Sequence, residues 1–132
     1  MAITYETNGA VTPEELLALL AHGGFPRPLD DPARIQAMLD NGSFRIVVRE
    51  GTELVGFMRV LTDYVYYGLV TEVAVAPSHK GKGVGKEMLR VAREIATPNA
   101  TLVLTSSEEG APFYAHLGWQ LADRAYRLRR SG

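Results

Sequence analysis

The sequence predicts an α+β domain in which one mixed, mainly antiparallel sheet is flanked by helices. Three strand patterns, at residues 43–50, 53–62 and 68–77, follow one another with only short turns between them, which is typical of an antiparallel meander. Helical patterns precede and follow this meander, so the predicted order of elements is β-α-α-β-β-β-α-β-α-β. A chain of 132 residues can bury one core but not two independent ones. We therefore expect a single domain over residues 1–132.

The chain before the meander predicts a short strand and two helices. Residues 2–7 alternate apolar and polar side chains and end at an Asn-Gly turn, as a strand does. The Thr-Pro-Glu-Glu stretch at 12–15 predicts a helix start, because threonine caps the first turn, proline suits its first position and glutamate completes a capping box. The His-Gly-Gly stretch at 22–24 ends this helix. An Asp-Pro pair begins a second helix over residues 31–42, which ends at an Asn-Gly pair.

The chain after the meander predicts two more helices and two more strands. Apolar residues recur at helical spacing over 83–96, and a Thr-Pro pair ends that helix. A strand follows at 101–106. Residues 107–118 predict a helix that begins with a serine cap and ends at a glycine. We expect the segment 119–130 to complete the sheet as a final strand or strand pair.

The composition excludes several classes of protein. With 14 Lys and Arg against 15 Asp and Glu, the net charge is -1, so no overall positive field would attract nucleic acid or an anionic membrane. The chain has no cysteine, hence no disulfide and no thiolate metal site. Its 3 histidines lack the spacing of a zinc site, and no run of residues has the features of a signal peptide or a membrane span. We expect a soluble, unprocessed cytoplasmic protein that binds no metal.

The stretch HKGKGVG, residues 79–85, lies between the end of a strand and the start of a helix. Free N–H groups at a helix start attract an anion, and glycines let it approach without a Cβ in the way. Lys80, Lys82 and Lys86 add positive charge that suits a pyrophosphate. The P-loop pattern and the dinucleotide fingerprint both fail here, because the required glycines and the Ser or Thr are not at the right positions. A glycine-rich turn with solvated lysines is the structural alternative.

Two motifs together resemble those of the GNAT superfamily of acyl-CoA-dependent N-acetyltransferases. The first is VAVAPSHKGKGVGKEML, residues 73–89, which aligns without a gap with the family's strand and pyrophosphate loop, although Lys80 replaces the usual Gln or Arg. The second is FYAHLGW, residues 113–119, which is similar to the family's aromatic-Tyr pair separated by three residues from Gly and Phe or Trp. The order of elements agrees along nearly the whole chain. The resemblance implies a GNAT fold and acetyl-CoA as the co-substrate.

The resemblance also implies which residues hold the co-substrate. In the family, the strand before the loop splays from its neighbour and leaves main-chain groups free to bind the pantetheine arm. The loop binds the pyrophosphate largely through main-chain amides. Ser107 stands where the family often has Asn at a helix start, although a capping role alone would explain it. The predicted cofactor-binding residues are Val73, Ala74 and Val75 on the strand, Lys80, Gly81, Lys82, Gly83, Val84, Gly85 and Lys86 in the loop, and Ser107.

The resemblance further implies an acid and a base. Tyr114 matches the family tyrosine that protonates the departing thiolate, and a phenol with a pKa of about 10 is a suitable donor. An ordinary core tyrosine is the alternative. Glu72 lies where several family members place an acidic residue that takes the amine proton, often through water. Alternation directs its side chain opposite to that of Val73, either into the cleft or into solvent. His79 and His116 are the other candidates for the base.

The acceptor is predicted to contact two places in the chain. One is the loop at residues 22–31, between the first two helices, and the other is the turn DYVYYG. In that turn Tyr64, Tyr66 and Tyr67 predict an aromatic wall for a small amine or an aryl group, and Asp63 adds a charge that attracts a cation. The same exposed tyrosines equally suit a homodimer contact.

These observations predict an N-acetyltransferase that moves an acetyl group from acetyl-CoA to a primary amine of a small molecule by direct attack in a ternary complex. Since the chain has no cysteine, an acyl enzyme linked through a thiol is excluded. The alternative is a non-catalytic CoA-binding sensor or interaction module of the same fold. Nucleic-acid binding through the stretch HKGKGVG and the RLRR tail would need a continuous basic face, which the near-neutral composition disfavours.

Overall fold

A computed structural model describes residues 2–23, 25 and 28–132 of the chain. Most predicted elements are present within a few residues of their expected bounds, although the last helix and the strand before it are shorter than predicted. In chain order the elements are β1 (Ile3–Thr7), α1 (Pro13–Leu20), α2 (Pro32–Asn41), β2 (Phe44–Glu50), β3 (Glu53–Thr62), β4 (Tyr67–Val75), a 3₁₀ turn (Pro77–His79), α3 (Val84–Ala96), β5 (Thr101–Val103) and α4 (Ala111–His116).

One sheet contains five strands in the order β1-β2-β3-β4-β5. Strands β1 to β4 pair antiparallel with their neighbours, and β5 pairs parallel with β4. The short turns between β2, β3 and β4 allow only antiparallel pairing, whereas the helix between β4 and β5 allows a parallel pair. The predicted α+β class and antiparallel meander are therefore confirmed.

Helices cover both faces of the sheet. A Cβ added at Gly56 of β3 would meet Val84 of α3 at 3.0 Å, whereas a Cβ added at Gly42, just after α2, would meet the Arg59 side chain of β3 at 3.2 Å. Gly56 and Arg59 are three residues apart, so their side chains point to opposite faces of the strand. Helix α3 therefore lies on one face, while α2 and its neighbour α1 lie on the other.

Local hydrogen bonds explain where the first two helices begin. Thr12 Oγ1 accepts a hydrogen bond from Glu15 N at 3.2 Å, and Glu15 Oε1 accepts one from Thr12 N at 2.9 Å, which is the predicted capping box. Asp31 Oδ1 accepts a hydrogen bond from Ala33 N at 3.0 Å and caps α2. Glu15 also pairs with Arg49 of β2 at 2.7 Å. The same carboxylate therefore begins α1 and attaches it to the sheet.

The final predicted strand is absent, so this part of the prediction was wrong. Residues 119–130 form no helix or strand, and the Leu121 and Tyr126 side chains are 92% and 97% exposed. Alternating residues form a stable strand only beside a partner edge, and β5 has only 3 residues with which to provide one. The segment runs instead to α2, where Arg34 Nη2 donates a hydrogen bond to the carbonyl oxygen of Gly132 at 3.1 Å.

Candidate active site

A cleft of about 770 Å³ opens where β4 and β5 separate. The two strands pair only along Tyr67 to Leu69 of β4. Beyond that point, β4 residues between 70 and 75 line one wall of the cleft, and residues 104–107 after β5 line another. Neighbouring β4 residues of opposite orientation share the lining because the cleft follows the edge of the strand rather than one face. Main-chain N–H and C=O groups along this edge therefore face the cleft, as the family resemblance implied.

The glycine loop, which is the stretch HKGKGVG at residues 79–85, lies at one end of this cleft and leads into α3. Gly81 and Gly83 have φ angles of +78° and +82°, which glycine adopts without strain. A Cβ added at either position would meet no atom within 4 Å, so open space lies beside the main chain. Within the described residues, no hydrogen bond is found for the N–H groups of residues 81–86. These free donors and the positive end of the α3 dipole suit an anion.

Most residues predicted to hold the co-substrate line the cleft. Val84 does not, because its side chain is 2% exposed and belongs to the core. Lys82, Gly83 and Lys86 also lie outside the lining, on the exposed part of the loop and α3. Ser107 lines the cleft, and its Oγ accepts a hydrogen bond from Gly110 N at 3.1 Å, so it also stabilises the turn before α4. The predicted residues found in the lining are Val73, Ala74, Val75, Lys80, Gly81, Gly85 and Ser107.

Tyr114 is a core residue and a cleft residue at once. Its half-buried ring lines the cleft and lies edge-to-face against Phe113 and Trp119, with centroids 5.1 and 5.8 Å apart. Within the described residues, its hydroxyl has no hydrogen-bond partner. Burial raises the pKa of Tyr114 above its ordinary value of 10.0, because ionisation would place a charge where little water reaches it. The phenol therefore stays protonated at neutral pH and can donate a proton into the cleft.

Glu72 lies behind the wall of the cleft rather than in it. Its side chain is 0% exposed and does not belong to the lining, so the expected alternative of a solvated carboxylate is wrong. Arg59 of β3 lies directly opposite in the register, and its Nε donates to Glu72 Oε2 at 3.1 Å. The hydroxyl of Thr71, which does line the cleft, also donates to Glu72 Oε2. The carboxylate is therefore held by an ion pair on one side and by a cleft residue on the other.

The two histidines predicted as alternative bases are not brought to the cleft. His79 is buried before the loop, with Nδ1 2.7 Å from Ser78 Oγ and Nε2 3.5 Å from Glu50 Oε1. His116 is exposed at the end of α4. Neither lines the cleft, whereas His22, at the end of α1, does.

The residues predicted as an acceptor wall lie at the other end of β4. Tyr64, Tyr66 and Tyr67 are exposed and do not line the cleft. At about 3.3 Å per residue, β4 places this turn on the order of 25 Å from residue 75. Asp63 Oδ1 accepts hydrogen bonds from the N–H groups of residues 65, 66 and 67 at 2.8, 2.8 and 3.1 Å, and these bonds hold the pKa of the Asp63 carboxyl below its ordinary value. Asp63 thus stabilises the turn, and its acceptor role stays a prediction.

The remaining wall of the cleft comes from α1, from the loop after it and from the terminal segment. Leu19 lines it from α1 and Arg127 lines it from the terminal segment, and neither was predicted as a site residue. Arg127 has no hydrogen bond or ion pair within the described chain. The loop at residues 22–31 was predicted to contact the acceptor, and His22, Gly23 and Phe25 of this loop line the cleft. Gly24, Pro26 and Arg27 of that loop lie outside the described residues. No local pattern marks Leu19 or Arg127 as cleft residues, because they come together only in the folded chain.

The described residues contain no group of three or more His, Asp and Glu side chains arranged to hold a metal ion. Among the helices of that part of the chain, none combines the length and the apolar composition needed to cross a bilayer.

Comparisons with known proteins agree with this geometry. Residues 41–121, more than half of the chain, match the family model described as acetyltransferase (GNAT) domain. The chain is 30% identical over 120 residues to the uncharacterized N-acetyltransferase ycf52-like of Prochlorococcus marinus, covering 86% of this chain and 65% of that protein. It is 36% identical over 63 residues to the glucosamine 6-phosphate N-acetyltransferase of Trypanosoma brucei brucei, covering 46% of this chain and 43% of that protein. The chain thus spans less than two thirds of the length of these relatives.

A solved structure shares the fold over almost the whole chain. The aminoglycoside N-acetyltransferase AAC(6')-Iy, in complex with CoA, superposes with a TM-score of 0.74 at 15% identity, covering 99% of this chain and 96% of that one. An identity this low shows the shared fold alone.

Proposed function

Because the chain belongs to the acetyltransferase (GNAT) domain family, we propose that it transfers the acetyl group of acetyl-CoA to the primary amine of a small molecule, by direct attack within a ternary complex. One observation carries the proposal. The cleft between β4 and β5 joins the glycine loop, an open strand edge and Tyr114 in a single space. Binding of acetyl-CoA needs a site for its diphosphate and main-chain groups that hydrogen-bond its pantetheine arm, and transfer of the acetyl group needs a proton donor for the sulfur.

The order of groups along the cleft matches the parts of acetyl-CoA. The diphosphate binds to the free N–H groups of residues 81–86, with Lys80 supplying charge from the cleft wall. The pantetheine arm contains amides that need both donors and acceptors. Residues 73–75 supply them from the strand edge that β5 leaves open. With the diphosphate and the pantetheine arm placed in this way, the thioester lies toward α4 and Tyr114.

Tyr114 supplies the proton that the reaction requires at the sulfur. As the amine nitrogen bonds to the acetyl carbon, the carbon–sulfur bond breaks and the departing thiolate takes a proton. The raised pKa of Tyr114 keeps its phenol protonated for this step. The free hydroxyl has no competing partner in the described chain, so it is available to the sulfur. No cysteine is present, so the acetyl group passes directly to the amine rather than through a protein thiol.

Glu72 is the carboxylate that we assign as the final acceptor of the amine proton. It is buried beside the cleft and held by Arg59. The acceptor enters from the side walled by Leu19, His22 and Arg127. Since Glu72 does not belong to the cleft lining, the proton has to reach it through another group.

We also propose that the exposed turn with Tyr64, Tyr66 and Tyr67 pairs two copies of the chain. Tyr66 and Tyr67 are 70% and 64% exposed, and large aromatic side chains are enriched at protein interfaces. Light scattering should give the mass of two chains for the wild type and of one chain for Tyr66→Ser. A monomeric wild type would contradict this pairing and leave the acetyl-transfer proposal untouched.

The function is tested by calorimetry with acetyl-CoA and by a panel of amines assayed for CoA release. The panel should include glucosamine and glucosamine 6-phosphate, because one relative is named for acetylating the latter. We expect binding of acetyl-CoA and acetylation of at least one amine. An absence of binding heat at millimolar acetyl-CoA would contradict the assignment of the loop. Binding without transfer to any amine would instead support the non-catalytic CoA-binding alternative.

A further inference from the structure

Strand β4 contains a bulge at Thr71. Val60 of β3 pairs with Val70, but the residue before it, Arg59, pairs with Glu72, so Thr71 has no opposite residue in the register. Thr71 lines the cleft, whereas Glu72 does not. The bulge therefore places a hydroxyl at the cleft and a carboxylate directly behind it.

A hydrogen bond connects these two side chains. Thr71 Oγ1 donates to Glu72 Oε2, and the carbonyl oxygen of Arg59, 3.2 Å away, is a second acceptor within reach. Glu72 is 0% exposed, so water has no direct access to its carboxylate. When the Thr71 proton is directed to Glu72, the hydroxyl oxygen keeps lone pairs that can accept an N–H from a molecule in the cleft.

We propose that Thr71 contacts the acceptor amine and passes its proton to Glu72. This inference rests on the acetyl transfer proposed above. As the nitrogen bonds to the acetyl carbon, its N–H bond breaks and the proton moves to Thr71 Oγ1. The original hydroxyl proton moves at the same time to Glu72 Oε2. Thr71 ends unchanged and Glu72 ends neutral. After product release Glu72 loses this proton through Thr71 to solvent in the opened cleft, and Tyr114 takes back from solvent the proton that it gave to the thiolate.

A purely structural role of Thr71 would have different consequences. A hydroxyl that only ties the bulge to β3 would affect stability, and it would leave the pH dependence of the reaction unchanged. A hydroxyl that relays a proton has to affect the same pH-dependent step as Glu72. The two roles are therefore separated by a pH profile and by the coupling between Thr71 and Glu72.

The test compares Thr71→Val, which keeps the shape of the side chain and removes the hydroxyl, with Thr71→Ser, which keeps the hydroxyl. Thr101→Val is the matched control, because Thr101 is an exposed residue of β5 that does not belong to the cleft lining. We expect Thr71→Val to lower kcat/KM for the best amine by about 10²-fold or more and to flatten the limb that rises with pH. The Kd of acetyl-CoA should not change. Thr71→Ser should recover most of the lost rate, and Thr101→Val should stay close to the wild type.

The double variant completes the test. If Glu72 acts only through Thr71, then Thr71→Val and Glu72→Gln together should be no slower than the slower single variant. Losses that multiply, or a wild-type pH profile in Thr71→Val, would overturn the relay while leaving the acetyltransferase proposal intact. A wild type that binds acetyl-CoA but acetylates no amine would overturn both. If Thr71→Val does not fold, Glu72→Gln alone decides, because a retained rising limb in that variant would exclude the relay.

Discussion

Replacing Tyr114 by Phe tests catalysis with little disturbance of the fold. The phenol hydroxyl has no hydrogen-bond partner within the described chain, so its removal breaks no hydrogen bond between protein groups. The edge-to-face contacts of the ring with Phe113 and Trp119 involve only ring atoms that phenylalanine keeps. We therefore expect the free energy of unfolding to change by less than about 1 kcal/mol, and the Kd of acetyl-CoA to stay the same.

The effect on turnover should be far larger than the effect on stability. A positioned general acid contributes about 10²–10⁴-fold to a rate, which corresponds to roughly 2.7–5.5 kcal/mol of transition-state stabilisation at about 1.36 kcal/mol per factor of ten. We expect kcat of Tyr114→Phe to fall within this range. Released CoA can be measured with a thiol reagent without background from the protein, because the chain contains no cysteine.

Tyr126→Phe is the matched control for this experiment. Tyr126 is 97% exposed on the terminal segment, so the same chemical change there should leave kcat unaltered. A fall of less than about threefold in Tyr114→Phe, well below the contribution of a general acid, would show that Tyr114 only packs against its neighbours. In that case the leaving thiolate takes its proton from elsewhere, and the assignment of the acid is refuted.

Three further predictions concern the loop, the phenol and the sheet. Gly83→Asp should abolish the stabilisation by acetyl-CoA in thermal melts, which for the wild type is about 2.7 kcal/mol at a ligand concentration of 100 times Kd. Gly118→Asp, with a similar positive φ of +90°, should carry the same backbone cost of about 1–2 kcal/mol and keep that protection, and equal protection in both variants would remove the loop from the site. Burial raises the pKa of Tyr114, so unfolded tyrosine ionises near pH 10 while the folded state keeps its proton. Stability should therefore fall between pH 8 and pH 10.5 in urea titrations by more in the wild type than in Tyr114→Phe, and identical losses would argue against a buried phenol. Gly56→Ala should lower the free energy of unfolding by about 1–3 kcal/mol through overpacking, because the new Cβ would lie 3.0 Å from Val84. Val84→Ala should then restore part of that loss in the double variant, and a neutral Gly56→Ala would show that α3 can shift.

Several features of the fold could be predicted because their signals lie between close neighbours in the chain. The capping box of Thr12 and Glu15 involves residues three apart, and the start of α3 near Gly83 follows from apolar spacing within the helix itself. The terminal strand could not be predicted correctly, since alternation describes one segment and a strand needs the edge of another. The residues of the candidate site fall into the same two groups, those that a local motif marks and those that only the fold brings to the cleft. Tyr114 and the glycine loop are marked by local motifs, whereas the place of Arg127 in the cleft is set by the path of the terminal segment.

By itself, the sequence determined the class of the fold and the order of the elements as far as α4, and it predicted an anion-binding loop, because periodicity, caps and glycines act over a few residues. The tertiary structure alone decided which groups meet in the cleft. The bulge that brings Thr71 to the cleft and leaves Glu72 behind it depends on the register between two strands. The opening of the cleft depends on where β5 stops pairing with β4. Both are set by pairing and packing between distant residues, which no local pattern in the chain records.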